Sequence, residues 1–176
     1  MYMSTLWFFP NNVIQSGEII QHVAWKGESE GFAAIKRAGS DFLVVEKDLL
    51  HISNPTTHDI KMKTYYLYLS DFRMTDLPGT IAGIEVAVNM KRGGRITDDT
   101  IQLRYNNDFI GLNKATASLE NEKIYGGSLD LWDVEVPLTP EMLSDISFGV
   151  GLRFQSHPMW PHRESPMINH VKIRIW

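Results

Sequence analysis

The sequence predicts an all-β fold: an antiparallel β-sandwich of jelly-roll-like character, with one short helix near 139–145 and an N-terminal arm. Three observations carry that prediction. Apolar and polar residues alternate with a period of two through the second half of the chain, as half-buried strands require. Gly- and Asn-containing turns separate those runs. One stretch carries a strong helix-start signature, and only a turn or two follows it. At 176 residues the chain has the size of one domain, which buries a normal core without metal or disulfide staples. Residues 1–24 read as an N-terminal arm or first strand, and 25–176 as a single sandwich domain.

The elements follow in order. Before residue 60 the pattern is weak: Gly31 to Arg37 suits a short helix, Phe42-Leu43-Val44-Val45 a strand, and Leu49 to Ile52 either. Thr64 to Leu69 is β-branched and aromatic, a strand composition. Asp71 to Gly79 is a connection. Ile84, Val86, Val88 and Met90 then share one face, with Glu85, Ala87 and Asn89 on the other. Gly93-Gly94 supplies a turn, and Asp98-Asp99 is read as turn chemistry ahead of a strand at Ile101, Leu103 and Tyr105. In that strand Gln102 and Arg104 point outward. Asn106-Asn107-Asp108 is a hairpin turn that returns at Phe109-Ile110. Leu129 to Val136 is read as a strand. Thr139 and Pro140 are the N-cap and first residue of the short helix. Phe148, Val150, Leu152 and Phe154 alternate with Gly149, Gly151 and Arg153, and Val171 to Trp176 forms the last strand.

Composition narrows the function. Net charge is −4 and there is no clustered Lys/Arg footprint, so no nucleic-acid partner is expected. The chain has no cysteine, which excludes disulfides, thiolate zinc sites and cysteine nucleophiles. The N-terminal Met1 to Pro10 lacks a basic n-region and is read as no signal peptide. No apolar run is long enough for a membrane span. The expected setting is folding in a cytoplasm.

No catalytic centre is expected. The histidines 22, 51, 58, 157, 162 and 170 are scattered, with no H-E-x-x-H. Asp98-Asp99 and the Asp130, Asp133, Glu135 group lack a calcium-loop pattern, and loop capping accounts for them. No G-x-S-x-G elbow and no phosphate-binding loop occurs. No cofactor and no metal ligand is therefore assigned. The aromatics are more suggestive. Trp160 lies in a polar, proline-broken segment with His157, His162 and Arg163. That composition fits a protein contact or a sugar-stacking site, and equally a tryptophan folded back over the sandwich end. Trp132 is assigned to the core and Trp25 to packing of the N-terminal segment.

Six fragments in order carry a resemblance. They are Leu77-Pro78-Gly79 through Ile84-Glu85-Val86, Asp98-Asp99-Thr100-Ile101-Gln102-Leu103, Ile110-Gly111-Leu112-Asn113-Lys114-Ala115 and Tyr125-Gly126-Gly127 through Leu131-Trp132. Leu138-Thr139-Pro140 with Phe148-Gly149-Val150, and Ile168-Asn169-His170-Val171-Lys172-Ile173, complete the series. Together, over about residues 60–176, they resemble a β-sandwich virion structural module of tailed bacteriophages and prophages. Two positions depart from the family pattern: Asp133 stands where a Gly is usual, and Asn169 where an Asp is usual. The resemblance implies a virion structural protein of the tail, neck, baseplate, fibre or capsid decoration, acting through assembly and not through catalysis. Its implied partners are other virion proteins and further copies of itself, with the virion as its location. The alternative is a carbohydrate-binding module for host-surface glycans, working through Trp160.

Overall fold

The computed structural model describes residues 6–16, 22–23, 25–27, 43–45, 63–91, 96–118, 120–156 and 167–176. Thirteen strands and one helix occur among them. They are β1 (Trp7–Phe8), β2 (Asn12–Ser16), β3 (His22–Val23), β4 (Trp25–Gly27), β5 (Leu43–Val45), β6 (Lys63–Thr64) and β7 (Tyr66–Ser70). Then follow β8 (Ile84–Lys91), β9 (Ile96–Tyr105), β10 (Asp108–Ile110), β11 (Glu122–Gly126), α1 (Pro140–Ser144), β12 (Gly149–Ser156) and β13 (Met167–Ile175).

They form two sheets. The first runs β11-β8-β13-β5-β4, with β1 also against β13; the second runs β10-β9-β12-β6-β3, with β7 against β12 and β2 against β7. Every pairing is antiparallel except the short parallel contact of β3 with β6. The fold is the predicted antiparallel sandwich with one short helix. Its two inner faces share a single apolar core: Val86, Val88, Val171 and Ile173 from the first sheet meet Leu67, Leu69, Leu103, Val150, Leu152 and Phe154 from the second. The period-two alternation explains this directly, because every second residue of each strand has no other way to leave water.

Local chemistry agrees with the elements. Thr139 caps α1 by accepting the Met142 N–H at 3.2 Å, and Pro140 opens the helix. Asn106 and Asn107 both take positive φ, at 50° and 71°, the two-residue turn that matches the twist of a hairpin. Residues 6–16 put a strand into each sheet, β1 beside β13 and β2 beside β7.

Two readings are corrected. Leu129 to Val136 is a loop and not a strand; the strand lies earlier, as β11. Trp132 and Asp133 have left-handed backbones at 59° and 49°, which ends any extended run, while Leu129, Leu131 and Val136 face outward. Asp98-Asp99 lies inside β9 and not in a turn. A register shift opposite Arg153 and Phe154 lets both acids sit within the strand, with Asp98 buried and Asp99 on the outer face. Gly93-Gly94, Gly31 to Arg37 and Leu49 to Ile52 fall outside the described residues, as do the side chains of Trp25 and His22.

Candidate functional site

Residues from four of the six motif fragments hold each other. Trp132 is fully buried and its indole Nε1 donates to the Ile84 carbonyl at 2.9 Å. Its own N–H donates to Asp130 Oδ1 at 2.8 Å, and Lys114 Nζ meets Asp130 Oδ2 at 2.9 Å. Burial opposes ionisation of Asp130, but Lys114 and the Trp132 N–H outweigh it and hold the carboxyl below its ordinary value. Asn113 Oδ1 accepts the Ile101 N–H at 2.9 Å while its Nδ2 donates to the Asp99 carbonyl at 2.9 Å. The buried Asp98 carboxylate accepts the backbone N–H groups of Thr116 and Ser118. A side chain at Gly126 would strike the Trp132 ring. Each of these groups is spent on another part of the chain. The cluster fixes loops; it offers no free acid, base or nucleophile.

A different constellation faces solvent. On the outer side of the second sheet, Tyr66 and Tyr68 stand on β7 with rings 5.6 Å apart and nearly parallel, at 11°. Arg104 of β9 lays its guanidinium on Tyr68 at 3.6 Å, and Arg153 of β12 lies on Tyr66 at 4.2 Å. The result is a layered stack in which each tyrosine has cation and ring neighbours. Phe109 of β10 packs its ring against both tyrosines at 5.5 and 6.1 Å. It can lie there because Gly151 beneath it has no side chain.

The charges around the stack are uneven. Asp99 binds Arg153 Nε at 2.6 Å and Lys63 Nζ at 2.8 Å. Burial pushes the Asp99 carboxyl up, but these two cations outweigh it and hold it below its ordinary value. Arg104 is held differently: one amino group donates to the Asn107 carbonyl at 2.7 Å, and its buried Nε has no hydrogen-bond partner. Asp108 acts on Arg104 through space. Burial raises the Tyr68 phenol against the pull of Arg104.

A second aromatic group lies on the outer side of the first sheet. Arg174 sits between Trp7, at 4.4 Å, and Trp176, at 4.7 Å, and is anchored by Glu85. The anchor explains how Glu85 is buried on the side that alternation turns away from the core.

The residues singled out from the sequence, Trp160, His157, His162 and Arg163, lie outside the described residues. Among the described residues no group of three or more His, Cys, Asp or Glu is placed to hold a metal ion. No helix among them is long and apolar enough to cross a membrane. Tyr66, Tyr68, Phe109 and Arg153 were not singled out. A signal existed, since Tyr66 and Tyr68 occupy the outward phase of a strand whose inward phase is Leu67 and Leu69.

The fold and this face define an antiparallel β-sandwich that presents an aromatic–cationic surface. No family model and no curated protein sequence matches the chain. Among solved structures it is similar to the CBM22-1 xylan-binding domain from Paenibacillus barcinonensis Xyn10C, with a TM-score of 0.38 and 11% identity over 97% of this chain and 92% of that one. A likeness of that order assigns neither family nor ligand.

Proposed function

We propose that the chain is a structural module of a tailed-phage or prophage particle, acting by protein–protein assembly. One observation carries the reading. Three of the six sequence fragments that resemble the virion module, 77–86, 110–115 and 125–132, are separate in the chain yet touch in space. Gly111 abuts the Trp132 carbonyl, Lys114 reaches Asp130, Trp132 reaches Ile84, and Gly83 packs on Gly127 and Ser128. These three fragments form one interlocked corner. Their role in fixing loops also fits a module whose signature positions are architectural. Mass spectrometry of purified particles from the producing cells tests the reading. The protein is expected in the particle at a fixed ratio to other virion proteins, and its absence overturns the assignment.

The alternative, a module for host-surface glycans, is favoured by the three clustered aromatics on one outward sheet face. Stacking on a neutral sugar needs an open ring face. Here guanidinium groups and the tyrosines themselves occupy the faces of Tyr66 and Tyr68. A glycan reading therefore centres on Arg104 and an acidic sugar, or on Trp160. A glycan array with multimerised wild type, Trp160→Ala and Arg104→Gln separates these. Absence of signal from the wild type removes the alternative.

A further inference from the structure

We propose that the aromatic–cationic face of the second sheet docks the 127–136 loop of a second copy of this chain. The inference deepens the assembly reading above by naming its contact. The face carries Lys63, Arg104 and Arg153, of which Lys63 and Arg153 share the single carboxylate of Asp99. Among the described arginines, 73, 153 and 174 each hold a carboxylate, from Asp71, Asp99 and Glu85. Arg104 holds none. It is nonetheless fixed, flat on Tyr68 and tied to the Asn107 carbonyl, so its orientation is settled before any partner arrives. Exposed apolar side chains flank it, Ile14 at 52% and Phe109 at 36%. Ile14 stands directly opposite Tyr68 across β2 and β7, on the same outward face. Tyrosine, phenylalanine and arginine on one exposed surface are the composition of a protein contact.

The 127–136 loop has the complementary character. Leu129 is 86% exposed, Val136 54% and Leu131 43%, an unusual amount of bare aliphatic surface for one short loop. Asp133 and Glu135 are exposed between them, and neither has an ion-pair partner among the described residues. Asp130 is already spent on Lys114. One surface is thus a cation framed by apolar groups, and the other is a pair of acids framed by apolar groups. In a chain of net charge −4, unspecific self-contact is repulsive, so association needs such local complementarity. The two surfaces are also neighbours on one molecule. The strand β10 that carries Phe109 leads into Leu112, whose N–H donates to the Trp132 carbonyl at 2.7 Å. Neighbouring complementary patches suit a two-fold pair, in which each copy gives a face and a loop.

A charge-swap mixture tests this on the full-length protein, with light scattering and analytical ultracentrifugation over protein and salt series. Wild type is expected to self-associate, more weakly as salt rises. Arg104→Glu alone, and Asp133→Asn with Glu135→Lys alone, are each expected to weaken association by about tenfold or more. Mixed together, the two variants are expected to regain it, because each then offers the charge the other lost. Near-UV circular dichroism controls for folding of Arg104→Glu. If that variant misfolds, the loop variant decides alone, since it changes only exposed side chains. A wild type that stays monomeric at all concentrations overturns the inference. So do variants that associate as wild type does, a mixture that stays monomeric, or an acidic glycan bound through Arg104 by a monomer. Detection of the protein in purified particles stands apart from all of these results, so the two readings fail separately.

Discussion

Trp132 shows at the scale of one residue how the motif works. Its ring is enclosed, its indole N–H reaches Ile84, and its backbone takes a left-handed turn at 59° that Asp130 stabilises. Trp132→Ala removes a large enclosed volume and leaves the Ile84 carbonyl short of a donor. A loss of about 3–5 kcal/mol in chemical denaturation is expected. The next residue, Asp133, is one of the two positions that differ from the virion module the sequence resembles. Asp133 has φ of 49°, the region that suits glycine. Asp133→Gly should therefore stabilise the monomer by about 0.5–1 kcal/mol, read by denaturation at a dilution where the protein is monomeric. Asn169, the other departure, donates Nδ2 to Asn89 Oδ1 at 3.4 Å. An ionised aspartate there could not donate, while the amide's own Oδ1 is buried with no partner among the described residues. Asp98 reads from the sequence as turn chemistry ahead of a strand, whereas it lies within β9 and its partners, Thr116 and Ser118, lie too far along the chain to be read from spacing.

Among the elements, strand identity was readable wherever one face is buried and the other is not. The runs in β8, β9, β12 and β13 are each bound by the same constraint, since slipping by one residue would turn the whole apolar set into water. Leu129 to Val136 is rich in apolar residues and reads as a strand, but its period-two phase slips at Leu131-Trp132 and it is a loop. Apolar content alone does not make a strand, and only the packed structure decides whether another sheet lies opposite. Here Leu129 and Leu131 have none. The central strand β12 carries a more specific device. Gly149 and Gly151 leave its outer side bare, and Phe109 and Arg104 fill the space above Gly151. Gly151→Ala places a methyl where the Phe109 ring lies and should lift that ring off the tyrosine stack. We expect altered near-UV circular dichroism and a loss of about 1–2 kcal/mol, with far-UV signal unchanged.

For the molecule as a whole, acid separates its two outer faces. On the first sheet His170 sits edge-on to Phe9, with ring centroids 6.2 Å apart and neither ring nitrogen hydrogen-bonded. Burial, with Lys172 nearby and Glu122 pulling the other way, holds the imidazole below its ordinary value of 6.5. The unfolded chain therefore binds this proton more readily than the folded one. Stability is complete above about pH 6.5 and falls as pH drops through the window down to the folded value. On the second sheet Asp99 is shifted down from 3.8, so its contribution persists to lower pH and disappears below that point. Thermal melts across the acid range should show two separate declines. His170→Phe should abolish the upper one and leave the lower in place; a wild-type profile flat between pH 5 and 7 contradicts the first assignment.

The sequence by itself determined the fold class, the single helix with its Thr139 cap, the Asn106-Asn107 hairpin and the burial of Trp132. Each depends on chemistry local to a few residues, or on a period-two pattern that has one low-energy solution. Tertiary structure alone decided that Arg104, Arg153, Tyr66, Tyr68 and Phe109 share one outward stack, because they come from four strands. Strand order and register, which place Gly151 between Tyr68 and Gln102, are not written in any one strand. Register is fixed by burying all inward residues at once, and the outward residues are brought together as its consequence.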